Sequence, residues 1–150
     1  MNTLEIESHL ISEIGFKHGV SNDEVVTILE GFSIFDNCIL SVSHLKDLSA
    51  KFVNVQFDFL SQIMNQFKLS FLLFEIEDKR RPDAETRRIV INHLRQLSPI
   101  VKHIAFGNGK HTISVNATVF MMSVANITNY SIHQDLEEAK EKLREMSEVC

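Results

Sequence analysis

Cysteine is almost absent from this chain: among 150 residues only Cys38 and Cys150 carry a thiol. One lies in an apolar run and the other at the last position, so neither a disulfide framework nor a metal knuckle is indicated, and a reducing compartment fits best. Proline is as scarce, at two residues. With no low-complexity stretch and no fixed-period repeat, nothing marks a linker or a second domain. No apolar run approaches the roughly 20 residues that a membrane span needs. The N-terminal MNTLEIESHL lacks the basic start and apolar core of an export signal. These absences predict a cytoplasmic protein without a membrane span. In such a protein the sequons at Asn116, Asn126 and Asn129 are chance matches, because N-glycosylation requires secretion. Positive charge is also short. Fifteen Lys and Arg against twenty Asp and Glu leave a net charge of -5, which argues against a general nucleic-acid binder.

What is present is enough for one domain, since a chain of about 150 residues buries roughly 70% of its unfolded surface. From Val53 onward short apolar runs alternate with longer periodic ones, the pattern of an α/β unit. In VNVQFDFLSQIMNQF, Val55, Phe59, Ile63 and Phe67 recur every four residues, as one buried face of a helix requires. LSFLLFEI has no polar alternation and predicts a strand covered on both faces, in the interior of a mixed, mostly parallel sheet. A second amphipathic helix, marked by Val90, Leu94 and Leu97, ends near Pro99. VKHIAFGNG reads as a strand, HTISVNATVFMMSVAN as a helix and ITNYSI as a short strand. DLEEAKEKLREM is a helix with Asp135 and Glu138 as its capping box and Leu136, Ala139, Leu143 and Met146 on one stripe. Upstream, HLISEIGFKHG reads as a strand, SNDEVVTILEGF as a helix capped by Ser21 or Asn22, and NCILSVSHL as another strand.

Chemistry-bearing motifs are few. The seven histidines show no ligand spacing, no serine sits in a strand-turn-helix elbow, and neither metal, cofactor nor catalysis is indicated. FGNGKHT has the glycines and lysine of a phosphate loop, but Ile104 stands where a Walker A loop needs glycine and His111 where it needs Ser or Thr. What survives is an anion or ligand turn at Gly107, Asn108, Gly109 and Lys110, set against a plain strand-to-helix turn. On the helix from His111 to Asn126, Ile113, Ala117, Phe120 and Val124 form the expected core stripe. Val115, Val119 and Met122 then make a second apolar line. That line is open to three readings: further packing, a homodimer surface, or an apolar ligand groove. Phe57, off the buried stripe of its own helix, joins the same set.

The densest charge is EDKRRPDAETRR, nine charged residues in the twelve from Glu77 to Arg88. It joins the central strand to a helix, with Asp83 as the expected N-cap and Glu85 in the first turn, where negative charge meets the helix dipole. The plain reading is a well-capped helix start in water. The functional one is a partner-binding surface of Lys79, Arg80, Arg81, Asp83, Glu85, Thr86, Arg87 and Arg88.

The succession LLFEIEDKRRPDAETRR, HIAFGNG and EEAKEKL resembles the STAS superfamily over roughly Phe52 to Met146. That superfamily comprises the bacterial anti-sigma-factor antagonists and sulfate-transporter tails, and this chain is most similar to its divergent branch, which shares a fold with CRAL-TRIO lipid-binding domains. In that family an Asp-Ser-Ser-Gly or Asp-Ser-Thr-Gly motif opens a helix, and phosphorylation of its second hydroxyl residue switches partner binding. Laid on the motif, Asp83 takes the place of its Asp, Ala84 of the first Ser, Glu85 of the phosphorylated residue and Thr86 of the Gly. LSVSHLKDLSAKFV is a competing placement. The resemblance implies a non-enzymatic protein-interaction module of bacterial signalling that lacks the phosphorylatable residue, with Glu85 a fixed negative charge in its place. The lipid-binding relatives imply the rival, a binder of a small apolar or anionic ligand.

Overall fold

The structure is a computed structural model that describes residues 6–43, 45, 48–76 and 83–147. Its five strands form one sheet in the order β1 (Phe32–Phe35), β2 (Ile39–Val42), β3 (Phe71–Glu75), β4 (His103–Gly107) and β5 (Tyr130–Ile132). The β1–β2 pair is antiparallel, and every later pair is parallel. A tight turn closes the first pair, with Asp36 and Asn37 both at positive φ and the Cys38 N–H donating to the Phe35 carbonyl. Asp and Asn tolerate the left-handed region that such hairpin turns demand.

Parallel neighbours need crossovers, supplied by α3 (Ala50–Phe67), α4 (Ala84–Leu97) and α5 (Thr112–Val124). All three cover one face of the sheet, where Leu40, Leu72 and Ile104 are fully buried beneath them. On that side α1 (Ser8–His18) and α2 (Asn22–Leu29) pack against α3. The opposite face carries Ile39, Phe71, Leu73 and Ala105, and α6 (Leu136–Met146) covers it with Ala139 and Leu143. β3 is thus apolar on both faces, as its sequence predicts: Leu72 and Leu73 are both buried.

Helix ends follow local chemistry. Ser21 and Glu24 form a reciprocal capping box on α2. At α6 the Asp135 carboxylate accepts the Glu138 N–H at 2.8 Å, while Glu138 reaches back to the Gln134 N–H.

Three expectations are corrected. Residues 8–18 form a helix, not a strand: Leu10, Ile11 and Ile14 share one helical face, and Gly19 at φ 69° terminates it in the left-handed region. The helix read through Phe32 stops at Leu29, and Phe32 to Phe35 form β1. Phe57 is buried, because α3 is wedged between the sheet and its neighbouring helices and hides nine of its eighteen residues.

Candidate functional site

The C-terminal ends of β2, β3 and β4 open beneath α3, α4 and α5 into an apolar cavity of about 210 Å³. In parallel α/β sheets this end of the strands is where ligands bind, since helices diverge there and backbone groups lose their ladder partners. Phe57, Phe74 and Phe106 form one wall, with ring centroids 6.5 Å and then 5.8 Å apart. Behind Phe57 the His93 imidazole stacks at 4.7 Å. The His93 Nε2 lies 2.7 Å from Asn54 Oδ1, which accepts its proton, and burial pushes the His93 pKa down. Met121 and Met122 line the cavity from α5.

Two buried polar side chains interrupt the apolar lining. Gln56 donates its side-chain amide to the Ser43 carbonyl at 3.1 Å. Thr118 donates its hydroxyl to the Ser114 carbonyl at 2.9 Å, which satisfies it within the helix. Neither residue stands out in the sequence as a site, yet a signal was present. Gln56 has Phe52, Val53, Phe59 and Leu60 at three and four positions' distance, and Thr118 has Val115 and Met122, so each is a polar residue set into an apolar face.

Helix α5 is rotated relative to its expected phase. The stripe Ile113, Ala117, Phe120 and Val124 is the exposed one, with Ile113 61% and Phe120 66% accessible. Thr118 and Met122 are its buried residues, and Val115 is partly buried against the core. Met122 and Phe57 are therefore not surface residues, and both line the cavity. Val119, at 41% accessible, remains on the surface with the exposed stripe. The cause is compositional: from Thr112 to Val124 the helix has no charged residue, and only the exposed Thr112, Asn116 and Ser123 mark a polar line, so the sequence pattern sets its rotation weakly.

The charged segment is only partly visible. Lys79, Arg80 and Arg81 lie outside the described residues. Asp83 is the N-cap of α4, as expected, and accepts the Thr86 N–H at 2.8 Å. The Thr86 backbone and side-chain hydrogen bonds hold the Asp83 carboxyl below its usual range. Thr86 itself is buried, whereas Glu85, Arg87 and Arg88 are exposed.

The turn at Gly107 to Lys110 serves the fold. Asn108, at φ 61°, donates its side-chain amide to the Ile76 carbonyl at 3.3 Å, and the Gly109 N–H donates to the His133 carbonyl at 2.8 Å. The Gly109 amide is thereby taken up, leaving the exposed Lys110 as the turn's cation. Among the described residues no group of three or more His, Cys, Asp or Glu could hold a metal ion. No helix there is long and apolar enough to cross a membrane.

No protein-family model matches the chain, and no curated protein does. A solved structure titled "NMR Structure of the protein TM1081" is similar at a TM-score of 0.56 and 15% identity, over 75% of this chain and 86% of that one. At that identity the likeness is one of fold, and it agrees with the α/β architecture above.

Proposed function

We propose that this chain is a non-enzymatic, cytoplasmic protein-interaction module of the STAS type, and that it meets its partner with the outer surface of α5 and the adjoining side of α4. The observation that carries the reading is the uncharged helix α5, which leaves Ile113, Val119, Phe120 and Val124 accessible to solvent on one molecule. An exposed apolar stripe such as Ile113, Ala117, Phe120 and Val124 is characteristic of interfaces. Helix α4 borders it: the Arg95 guanidinium donates to the Val124 carbonyl at 2.9 Å, and Arg88, two turns away along α4, is exposed. An apolar centre with arginines beside it suits a partner that presents apolar side chains flanked by carboxylates.

The capped start of α4 directly after β3 supports the resemblance, because Asp83 stands where the family's motif opens its helix. Thr86 offers no replacement for the missing phosphorylation residue, since its side chain is buried and bonded to Asp83. The module is therefore expected to bind constitutively. Ile113→Glu combined with Phe120→Glu should leave folding stability within about 0.5 kcal/mol, as for other surface changes. The same variant should lose any protein that the wild-type chain retains at 0.1 M salt. Arg87→Ala with Arg88→Ala should weaken retention and flatten its salt dependence, since exposed charges are screened over about 10 Å at that ionic strength. A partner held equally by all three proteins, or none held by the wild type, refutes the reading.

A further inference from the structure

We infer that the occupant of the outer side of α5 is an amphipathic α-helix of the partner, lying along α5 and carrying acidic residues one heptad apart. The inference rests on the interaction reading above and names the class of partner. Spacing comes first. The exposed apolar residues Ile113, Ala117, Phe120 and Val124 follow one another at intervals of four, three and four. At 3.6 residues per turn they fall within about 60° of the helix circumference, pointing away from the buried Met122. So narrow an apolar line is the seam of a helix pair, whereas a helix that lies on a broad apolar surface carries a stripe of about 100° or more. Thr112, Asn116 and Ser123, all exposed, border the seam on one side, and Val119 lies beyond them.

The other border is α4, and it carries the charge. Helices α4 and α5 each return between parallel strands, so they run in the same direction. Arg95 reaches the Val124 carbonyl at 2.9 Å, and Arg88 stands exposed seven residues before it. Seven residues are about 10.5 Å along a helix. The same interval separates Ile113 from Phe120 and Ala117 from Val124. Seam and cations thus share one repeat. A partner helix with apolar residues at heptad positions a and d, and a carboxylate at the same flanking position of successive heptads, meets both.

Other occupants fit less well. An extended peptide would bury its amides against α5, which offers no strand edge to receive them, whereas a helix satisfies its own backbone. A membrane surface is engaged by helices with Lys and Arg on their polar face, and α5 has no charged residue in a chain of net charge -5. A second copy paired through α5 would present no carboxylate from that helix to Arg88 and Arg95.

Two labelled peptides of three heptads test this on the wild-type chain, at concentrations where each peptide alone is monomeric by sedimentation. Both have Leu at a and d, and one has Glu where the other has Lys at the flanking e and g positions. A third, the Glu peptide with Pro in its middle heptad, cannot form the helix. Binding is followed by fluorescence anisotropy and by NMR, with the α5 backbone amides expected to shift. At 0.1 M salt the Glu peptide should bind about tenfold more tightly than the Lys peptide, because each arginine contact turns from attraction to repulsion in the latter. The difference should shrink to within about threefold at 1 M salt, and likewise in Arg88→Ala combined with Arg95→Ala. The Pro peptide should not bind, and Phe120→Glu should lose the Glu peptide. Should the double arginine variant not fold, the salt series on the wild-type chain decides the matter. Equal binding of the Glu and Lys peptides, a Pro peptide that binds as tightly as the Glu one, or no binding of any would each overturn the inference. So would a dimer of the chain alone that Phe120→Glu dissolves, or binding to phosphatidylglycerol vesicles that the same change abolishes. Loss of a retained protein in Ile113→Glu with Phe120→Glu, while no peptide binds, would remove the helix and leave the interaction reading standing.

Discussion

Replacing Gly107 with alanine separates a packing role for the turn after β4 from an anion-binding one. A methyl group at this position would stand 2.6 Å from Cδ2 of Leu136 and 2.9 Å from its Cα. The side-chain atom can rotate away, whereas the Cα can retreat only if the first turn of α6 moves with it. Helix α6 covers Phe71, Leu73 and Ala105 on its face of the sheet. A shift of its first turn therefore loosens that core, with no contribution from an unusual φ at Gly107. Overpacking of this kind costs about 1–3 kcal/mol. With a urea m-value of about 2 kcal/mol/M, the unfolding midpoint should fall by about 1 M. Adding Leu136→Ala should restore part of the loss, because it removes the Cδ2 contact and keeps the Cα one. Lys110→Ala, on an exposed residue of the same turn, should move the midpoint little. A Gly107→Ala protein that unfolds at the wild-type midpoint refutes the packing argument. Stabilisation of the wild type by inorganic phosphate that disappears in Lys110→Ala would show instead that the turn holds an anion.

Leu143→Ala should cost about 2–5 kcal/mol in denaturant unfolding, since Leu143 is fully buried in the core that α6 forms with the sheet. Asp83→Ala should cost about 1 kcal/mol through loss of the α4 cap, seen as faster amide exchange in the first turn of that helix. Stability should also fall in mild acid. Burial lowers the pKa of His93 and His103, so the fold favours their neutral forms, and the stability involved is complete above the unfolded value near 6.5 and is lost as pH drops through the lower folded values. A urea midpoint at pH 5 equal to that at pH 7.5, or a pH dependence unchanged by His93→Gln, contradicts this. Glu85→Ser should create an exposed hydroxyl that a serine kinase can modify, detectable by mass spectrometry, while the buried Thr86 of the parent stays unmodified.

The most legible elements were those whose sequence carried two independent signals. In α6 a polar cap and an amphipathic stripe agree. β3 combines an apolar run with flanking turn residues, and α4 combines the Asp83 cap with Leu94 and Leu97. Legibility failed where signals conflicted. In α1, Ile14 and Phe16 two positions apart mimic strand alternation, and Gly15 between them weakens the helical reading, yet Phe16 is 91% exposed and only the helical face is buried. β1 could have been found from Asp36-Asn37, a dipeptide suited to a positive-φ hairpin turn. Phe57 falls off the single stripe that periodicity predicts, yet it is buried because α3 is covered on several sides. The cavity was invisible for a different reason. It is made by side chains from α3, α4, α5 and three strand ends, and no local pattern reports that they meet.

Helix α5 shows what such ambiguity means physically. A helix whose one side faces a solid core and whose other side faces water acquires a polar face, because charged residues there are cheap and apolar ones gain nothing. This helix has no charged residue and only a thin polar line, Thr112, Asn116 and Ser123, although one side looks onto a cavity and the other onto solvent. The cavity side explains Met121 and Met122, but it does not explain Ile113 and Phe120, which contribute little to folding where they stand. Their exposure is the feature on which the proposed partner contact rests. On that proposal Phe120→Glu should weaken partner retention while leaving the fold intact, because Phe120 is 66% exposed. Retention of the partner unchanged in Phe120→Glu would mean that the outer side of α5 is not the contact.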